Sequence, residues 1–492
     1  MSNVAKELEV IRILSGKAFI GGEFKEPAGL ETIEVENPAN AETIGFVPAG
    51  DEELANTAIS AARVAQSSWA ALPAIERARL VERLAAKILE HKDVFARIIV
   101  REQGKPLDQA FGEVDATASF LSHAASMARR IGGDILGSDN RYEEIHIRRH
   151  AYGVVVGLTA WNYPAALAAR KAGPALVAGN TFVLLSHEIT PMSGLYIAQL
   201  VKEVGFPSGV FNVVSGRGPV IGRALVDHAG VDLISMTGSV RAGQEIYASA
   251  ASHLKVLRLE LGGKAPFVVM EDASIDRAVD AAIAARFANC GQICTCNERM
   301  YLHSKIADEF LEKFISRTQS LRIGDPMVNP DLGPKVSAAE VEKVAKMVAR
   351  GEAFGDQVLL KGGKIEEGSL AKGNFIAPTV LESSSNASPL MQEEIFGPVV
   401  SSLRVDSFEQ AVSYANDTAF GLSAYLFTSS HRRLAQAPYL LKFGELYLNR
   451  ANGEQVQGFH TGWGKSGLGG EDGVYGFDGY LRKQTSYANF DI

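Results

Sequence analysis

Gly153-Val-Val-Val-Gly-Leu-Thr159 and Lys255-Val-Leu-Arg-Leu-Glu-Leu261 bound the stretch that decides the fold. Between them lie three more short apolar runs, Thr181 to Leu185, Val210 to Val214 and Leu233 to Met236. Four helical segments alternate with these runs: Pro164 to Ala178, Met192 to Val204, Pro219 to His228 and Val240 to Ser252. Proline in the first turn suits the first of them. Five buried strands alternating with four helices predict a parallel, doubly wound sheet. Such sheets bind ligands at the carboxyl ends of their strands.

Outward from this core, a second alternation begins at Phe267-Val-Val-Met270. It continues through helices near 276–289, 305–319 and 337–350 and strands near 375–381, 399–403, 421–427 and 444–448. The chain therefore reads as two doubly wound α/β domains, a Rossmann-like cofactor domain and a catalytic domain. Upstream, the first 135 or so residues read as a helical front section. Asp51 is placed to cap a helix, and Leu80, Leu84 and Ile88 recur every fourth residue as a buried stripe. Tyr142 to His150 and Leu481 to Tyr487 alternate polar and apolar residues outside both sheets. They are expected to form a small β oligomerisation arm, and the run Arg148-Arg149-His150 a solvated face. The expected division is 1–130 and 151–262 for the dinucleotide domain, 263–465 for the cysteine-bearing domain, and 131–150 and 466–492 for the arm.

Composition narrows the possible classes. The 492 residues suggest two or three domains. Hydrophobic residues make up 46% and charged residues 22%, which excludes a disordered chain, a coiled coil and a disulfide miniprotein. No run approaches the roughly 20 apolar residues of a membrane span. A net charge of −8 argues against a general nucleic-acid binder. Met1 to Glu9 lacks a basic segment followed by an apolar one, so no secretory signal is read and a cytoplasmic location is expected. The three cysteines, Cys290, Cys294 and Cys296, fall within seven residues. Their spacing matches no common zinc pattern and no histidine lies nearby, so no metal is expected. A nucleophilic thiol and inert buried thiols both remain open.

Several residues have the right chemistry at strand ends. Gly216-Arg-Gly-Pro-Val-Ile-Gly222 approximates a dinucleotide fingerprint, with three residues instead of two before its last glycine. A second glycine turn spans Gly238 to Gly243. Either could present N–H groups to a pyrophosphate, although ordinary turns also use glycine. In Phe287-Ala-Asn-Cys-Gly-Gln-Ile-Cys294, Asn289 and Gly291-Gln292 break the helical pattern and put Cys294 on a turn. Glu260 and Asn162 follow strands, as a base and an oxyanion donor would. Singly, Glu260 could be a solvated strand end and Asn162 a helix cap. Together they suggest acyl chemistry coupled to redox.

The sequence resembles the NAD(P)-dependent aldehyde dehydrogenase superfamily. The matching pieces are TAWNYP (159–164), MTGS (236–239), LELGGK (259–264), FANCGQIC (287–294), EEIFGPV (393–399) and GWGKSGLGG (462–470), in family order. Segments 294–301 and 449–473 are most similar to lactaldehyde/glycolaldehyde dehydrogenases. The resemblance implies that Cys294 attacks the aldehyde, that Asn162 and the Cys294 N–H hold the oxyanion, and that Glu260 activates water. Lys171 and Glu471 match a proton path behind the base. The implied cofactor set is Thr159, Ala160, Trp161, Glu188, Gly238, Ser239, Gly243, Leu261, Glu394 and Phe396, with Gly218 added from the first glycine turn. The family places the pyrophosphate near Gly238 and Ser239, which demotes the Gly216–Gly222 fingerprint. Leu185 stands where the family usually has a ribose-binding lysine. With Glu188 retained, NAD is expected over NADP.

For the substrate, Arg170, Thr295, Glu454 and His460 are the expected contacts. The resemblance implies a polar funnel, too polar for a long alkyl or aromatic aldehyde. Lactaldehyde or glycolaldehyde fits best. Succinate semialdehyde is the alternative, weakened because Ala288 stands where that branch carries a second arginine. A CoA-acylating relative usually lacks Glu260, a cofactor-free thiol hydrolase would give no NADH signal, and a catalytically silent scaffold need not keep Cys294, Glu260 and Asn162 together. A small-molecule substrate, no nucleic acid, no membrane and a homo-oligomer (dimer or tetramer) complete the expectation. The Cys294-Thr-Cys296 spacing also suggests a strained, reducible disulfide switch.

Overall fold

The computed structural model describes residues 4–491. Its first sheet has eight strands, in the order Glu23–Lys25, Ala18–Ile20, Phe211–Ser215, Thr181–Ser186, Val154–Leu158, Leu233–Thr237, Val256–Glu260 and Gly467–Leu468. The five inner strands from Phe211–Ser215 to Val256–Glu260 are parallel. These are the five apolar runs of the sequence. Their continuous apolarity follows from burial on both faces. Val154 and Val156 face one core cluster and Val155 faces another.

The strand order reverses between Val154–Leu158 and Leu233–Thr237. This switch point opens a crevice at the carboxyl ends. Asn162, Ser239 and Glu260 all follow or end strands at that edge.

The second sheet has seven strands, in the order Gln357–Leu360, Thr379–Glu382, Val399–Val405, Asn297–His303, Ala265–Val269, Ser423–Phe427 and Glu445–Leu448. All but the first are parallel to their neighbours. The central strand, Asn297–His303, is absent from the sequence reading because it opens with Asn-Glu-Arg. All three are buried, and both charged side chains have partners. Glu298 lies 2.9 Å from Lys264 Nζ and 3.7 Å from Arg286 Nη1. Arg299 donates to the carbonyls of Lys264 and Ala415 at 2.9 and 2.6 Å.

Other departures from the sequence reading have local causes. The front section holds two hairpins, Ala18–Ile20 with Glu23–Lys25 and Thr32–Asn37 with Glu42–Pro48, besides its helices. Those helices are Val4–Leu14, Glu52–Ala71, Ala74–Glu90, Lys92–Gln103 and Leu107–Ser126. Asp51 does cap Glu52–Ala71, accepting from Leu54 N at 3.0 Å. Leu84 and Ile88 are buried, whereas Leu80 is half-buried. Pro219 to His228 is a π turn, Gly218–Gly222, followed by the short helix Arg223–Asp227. A Cβ at Gly218 would meet open space, so no close approach demands glycine there. Glu143–Ala151 pairs antiparallel with Leu481–Asn489 and with Asp134–Gly137. Segment 466–480, grouped with the arm in the sequence reading, packs elsewhere: Gly467 and Leu468 pair with Glu260 and Leu259. Among the described residues, no helix is long and apolar enough to cross a membrane.

Glu298→Ala would leave Lys264 and Arg286 buried without their carboxylate. Urea unfolding is expected to show a loss of about 3–5 kcal/mol. A loss below about 1 kcal/mol would contradict a structural role for this cluster.

Candidate active site

The cysteine loop begins where helix Ile275–Phe287 ends. Asn289, Cys290 and Gly291 follow with φ of 48°, 56° and 72°. Two non-glycine residues in the left-handed region are costly and persist only when surroundings hold them. Here Asn289 N donates to Gln109 Oε1 at 2.8 Å, and Gln292 Nε2 donates to Asn289 O at 2.9 Å. Arg286 Nη2 donates to the carbonyls of Gly291 and Gly397 at 2.9 and 2.8 Å. Cys294 then sits half-buried on a turn, while Cys290 and Cys296 are buried.

Gly262 and Gly263 let the other segments approach. A Cβ on Gly262 would meet the Glu394 carboxylate at 2.6 Å, and one on Gly263 would collide with the Cys294 carbonyl. Gly263 N donates to Glu394 Oε1 at 2.8 Å.

The groups predicted around Cys294 converge. Asn162 Nδ2 donates to Gln292 O at 2.9 Å, and its Oδ1 is buried without a partner. Both carboxylate oxygens of Glu260 are buried without a hydrogen bond. Burial pushes Glu260 up to about 8 against the opposing pull of His460, whose Nε2 lies 3.6 Å away. His460 Nδ1 lies 3.1 Å from Glu445 and 3.7 Å from Glu454. Burial and Arg170 work against its protonation, but Glu454, the Cys294 thiol and Glu445 hold its pKa well above the usual value. Burial raises the Cys294 thiol, and its hydrogen bond with His460 pulls it back.

Arg170 departs from the expected free cation. Its Nε donates to Asp472 Oδ1 at 2.9 Å and its Nη2 pairs with Asp472 Oδ2. Glu454 and Glu471 lie 3.3 and 3.5 Å away. Three carboxylates already surround it. Lys171 pairs with Glu471 and donates to Thr237 Oγ1 at 2.7 Å. Burial would raise Glu471, yet Lys171 and Arg170 hold it at about 2. Thr295 is buried and accepts from Asn452 Nδ2 at 3.4 Å.

The cofactor candidates lie along the same crevice. Ser239 caps helix Val240–Ala250, accepting from Ala242 N at 3.2 Å. Gly238 precedes that cap, and Gly243 lies against the Leu261 side chain. Leu261 N donates to Ser466 O at 2.8 Å. Thr159 and Ala160 lead to Trp161, whose ring stands edge-on to Phe396 at 5.4 Å. Phe396 has φ of 57° and is held by Glu298, which accepts from its N–H at 2.7 Å. Burial pushes Glu394 up to about 7. Glu188 stands half-buried beside His187, whereas Leu185 lies in the apolar core.

Sequence reasoning missed the supporting residues: Lys105, Glu113, Arg286, Glu298, Glu445 and Asp472. Most are lone charges in unremarkable stretches, and only Asp472, beside Glu471, carried a positional hint. Glu445, Glu454 and His460 bring ligand atoms within 4.8 Å of one another, a spacing compatible with a metal. A protonated His460 between two carboxylates accounts for the same cluster through charge balance. Cys294 and Cys296 are both free thiols, and Cys296 Sγ packs 3.8 Å from Arg286 O.

Two doubly wound sheets meet at the cysteine loop, and the family comparison makes the chain an oxidoreductase. The chain belongs to the aldehyde dehydrogenase family, whose model matches residues 24–486, and it oxidises aldehydes to acids. It is 43% identical over 474 residues to 3,6-anhydro-alpha-L-galactose dehydrogenase of Vibrio sp. (strain EJY3), covering 96% of this chain and 99% of that one. It is 42% identical over 471 residues to lactaldehyde dehydrogenase of Escherichia coli (strain K12), covering 95% and 98%. A solved 3,6-anhydro-L-galactose dehydrogenase in complex with NAP superimposes with a TM-score of 0.95 at 43% identity, over 96% of this chain and 100% of that chain. Betaine aldehyde dehydrogenase from Staphylococcus aureus in complex with NAD+ gives 0.97 at 31% identity, over 100% and 98%.

Alkylation by iodoacetamide, mapped by peptide mass, is expected to mark Cys294 well before Cys290 or Cys296, which burial pushes up to about 11 and 12. His460→Ala removes a contact that lowers the Cys294 pKa, so its alkylation profile should move to higher pH. Movement to lower pH would contradict the assigned polarity.

Proposed function

We propose that this protein oxidises a small hydroxyaldehyde, of the lactaldehyde or glycolaldehyde type, to its acid with NAD. The observation that carries the substrate reading is the state of Arg170. With Asp472, Glu454 and Glu471 around it, Arg170 is not free to anchor the distal carboxylate of a semialdehyde. Glu454, Glu445, His460 and Asn452 offer hydrogen-bonding groups to substrate hydroxyls. Relatives acting on lactaldehyde and 3,6-anhydrogalactose, both hydroxylated aldehydes, agree with this reading.

In the proposed mechanism, Cys294 attacks the aldehyde carbon as a thiolate, its proton lost to solvent and its charge faced by the protonated His460. Asn162 Nδ2 keeps one N–H on Gln292 O and offers the other to the developing oxyanion, joined by the Cys294 N–H. The crevice suits a dinucleotide, with a Ser239-capped helix start for its phosphates and Glu394, Trp161 and Phe396 for its nicotinamide end. A bound nicotinamide dinucleotide supplies the acceptor for the hydride leaving the hemithioacetal carbon. Glu260, as carboxylate, then takes a proton from water as it attacks the thioester, releasing the acid and the thiol. Lys171 and Glu471 are a route for that proton away from the base.

Glu188 and the apolar Leu185 favour NAD, since a carboxylate without a nearby lysine repels a 2′-phosphate. Gly218 keeps the lowest standing among the cofactor candidates. The sheet of Glu143–Ala151 and Leu481–Asn489 is proposed as the oligomerisation surface of a homo-oligomer. Its exposed Ile135, Leu136 and Tyr487 support this.

The test is NADH formation at 340 nm with lactaldehyde, glycolaldehyde, 3,6-anhydro-L-galactose, succinate semialdehyde and benzaldehyde, with NAD and with NADP. Hydroxyaldehydes with NAD should give the largest kcat/KM, and Cys294→Ala should give no rate. A largest kcat/KM on succinate semialdehyde would overturn the substrate reading, and a lower KM for NADP would overturn the cofactor preference. Because Glu260 must be ionised to act, the rate of thioester hydrolysis should climb with pH to a plateau above about 8. A rate that falls across that range would contradict Glu260 as the base.

A further inference from the structure

Lys105 sits in the turn between helices Lys92–Gln103 and Leu107–Ser126. Its side chain is completely buried. The ammonium meets three groups: the Glu113 carboxylate, the main-chain oxygen of Asn162 at 2.8 Å, and the face of Tyr163, 3.5 Å from the ring centroid. Glu113 is also fully buried, and its Oε1 accepts from Ala165 N at 2.9 Å and Ala166 N at 3.3 Å. Those are first-turn donors of helix Pro164–Ala178, which have no partner inside the helix. Asn289 Nδ2, from the cysteine loop, reaches the same Asn162 oxygen at 3.1 Å.

A buried ion pair is a poor device for stability alone, because desolvation offsets much of its attraction. This pair joins the helical front to one short segment, residues 162–166. That segment carries the side-chain amide beside the cysteine loop. We propose that Lys105 and Glu113 are positioning residues for Asn162, fixing its main chain so that the amide is aimed at the oxyanion before substrate arrives. The inference rests on the reading of Asn162 as oxyanion donor.

The experiment is stopped-flow NADH formation with lactaldehyde and NAD, reading the rate constant and amplitude of the first turnover. The proteins are wild type, Asn162→Ala, Lys105→Met, and the double variant. Lys105→Met should slow the first turnover by roughly tenfold or more, the scale of an angstrom-level misplacement. NAD affinity, read by fluorescence titration, should be unchanged. Asn162→Ala should slow it by about 10²–10³-fold. The double variant should be no slower than Asn162→Ala alone, because groups acting through one atom do not add. Multiplied effects in the double variant would overturn the proposal, as would a full rate constant with only a reduced amplitude in Lys105→Met, the signature of misfolded protein. An undiminished rate in Asn162→Ala would sink the oxyanion reading itself, and the proposal with it. If Lys105→Met does not fold, the neutral pair Lys105→Met/Glu113→Gln replaces it. That pair leaves no unpaired buried charge and carries the same expectation.

Discussion

The buried cluster of Glu298, Lys264 and Arg286 is the constraint on which the site depends. Glu298 accepts from Ile395 N and Phe396 N at 2.8 and 2.7 Å, fixing the loop that carries Glu394. Lys264 follows Gly262 and Gly263 directly, so its pair with Glu298 ties that loop to the strand end of Glu260. Arg286 holds Gly291 O, Gly397 O and Asn297 O, which locks the left-handed cysteine loop against both. Three segments far apart in sequence are thereby set around one point. Much of the desolvation of these charges is met by partners, though Arg286 Nε has none, and their geometry is transmitted to uncharged backbone.

Around Cys294 the same logic separates two carboxylates. Glu260 has no hydrogen-bond partner, and burial keeps it near 8, ready to exchange a proton near neutrality. Glu471 is equally buried but faces Lys171 and Arg170, which keep it ionised. Different surroundings give two acids different roles, a pattern common to acid–base sites. Arg170 belongs to this balance: its charge is matched by Asp472, Glu454 and Glu471. The proposed preference for hydroxyl groups over a distal carboxylate rests on that saturation.

Much of this was legible in the sequence. Apolar runs between Gly153 and Leu261 disclosed the parallel sheet because both faces of each strand are buried. Motif spacing picked out Cys294, Glu260 and Asn162 as candidates, because each follows or ends an element with a clear boundary. The central strand Asn297–His303 was hidden because its buried carboxylate, Glu298, is paired by Lys264 and Arg286 from other elements. Lys105 and Glu113 were hidden for the same reason: a buried charge is recognisable only beside its partner. Segment 466–480 was misread since two paired residues, Gly467 and Leu468, leave almost no pattern.

The account turns on a covalent acyl group on Cys294 that Glu260 releases. The most direct measurement is intact-protein mass spectrometry of Glu260→Gln after one turnover with lactaldehyde and NAD. The account predicts a stable adduct with the mass of a lactoyl group, mapped to the Cys294 peptide and absent from Cys294→Ala. Unmodified protein after a full equivalent of NADH has formed would contradict the assignment of Glu260 as the group that releases the acid.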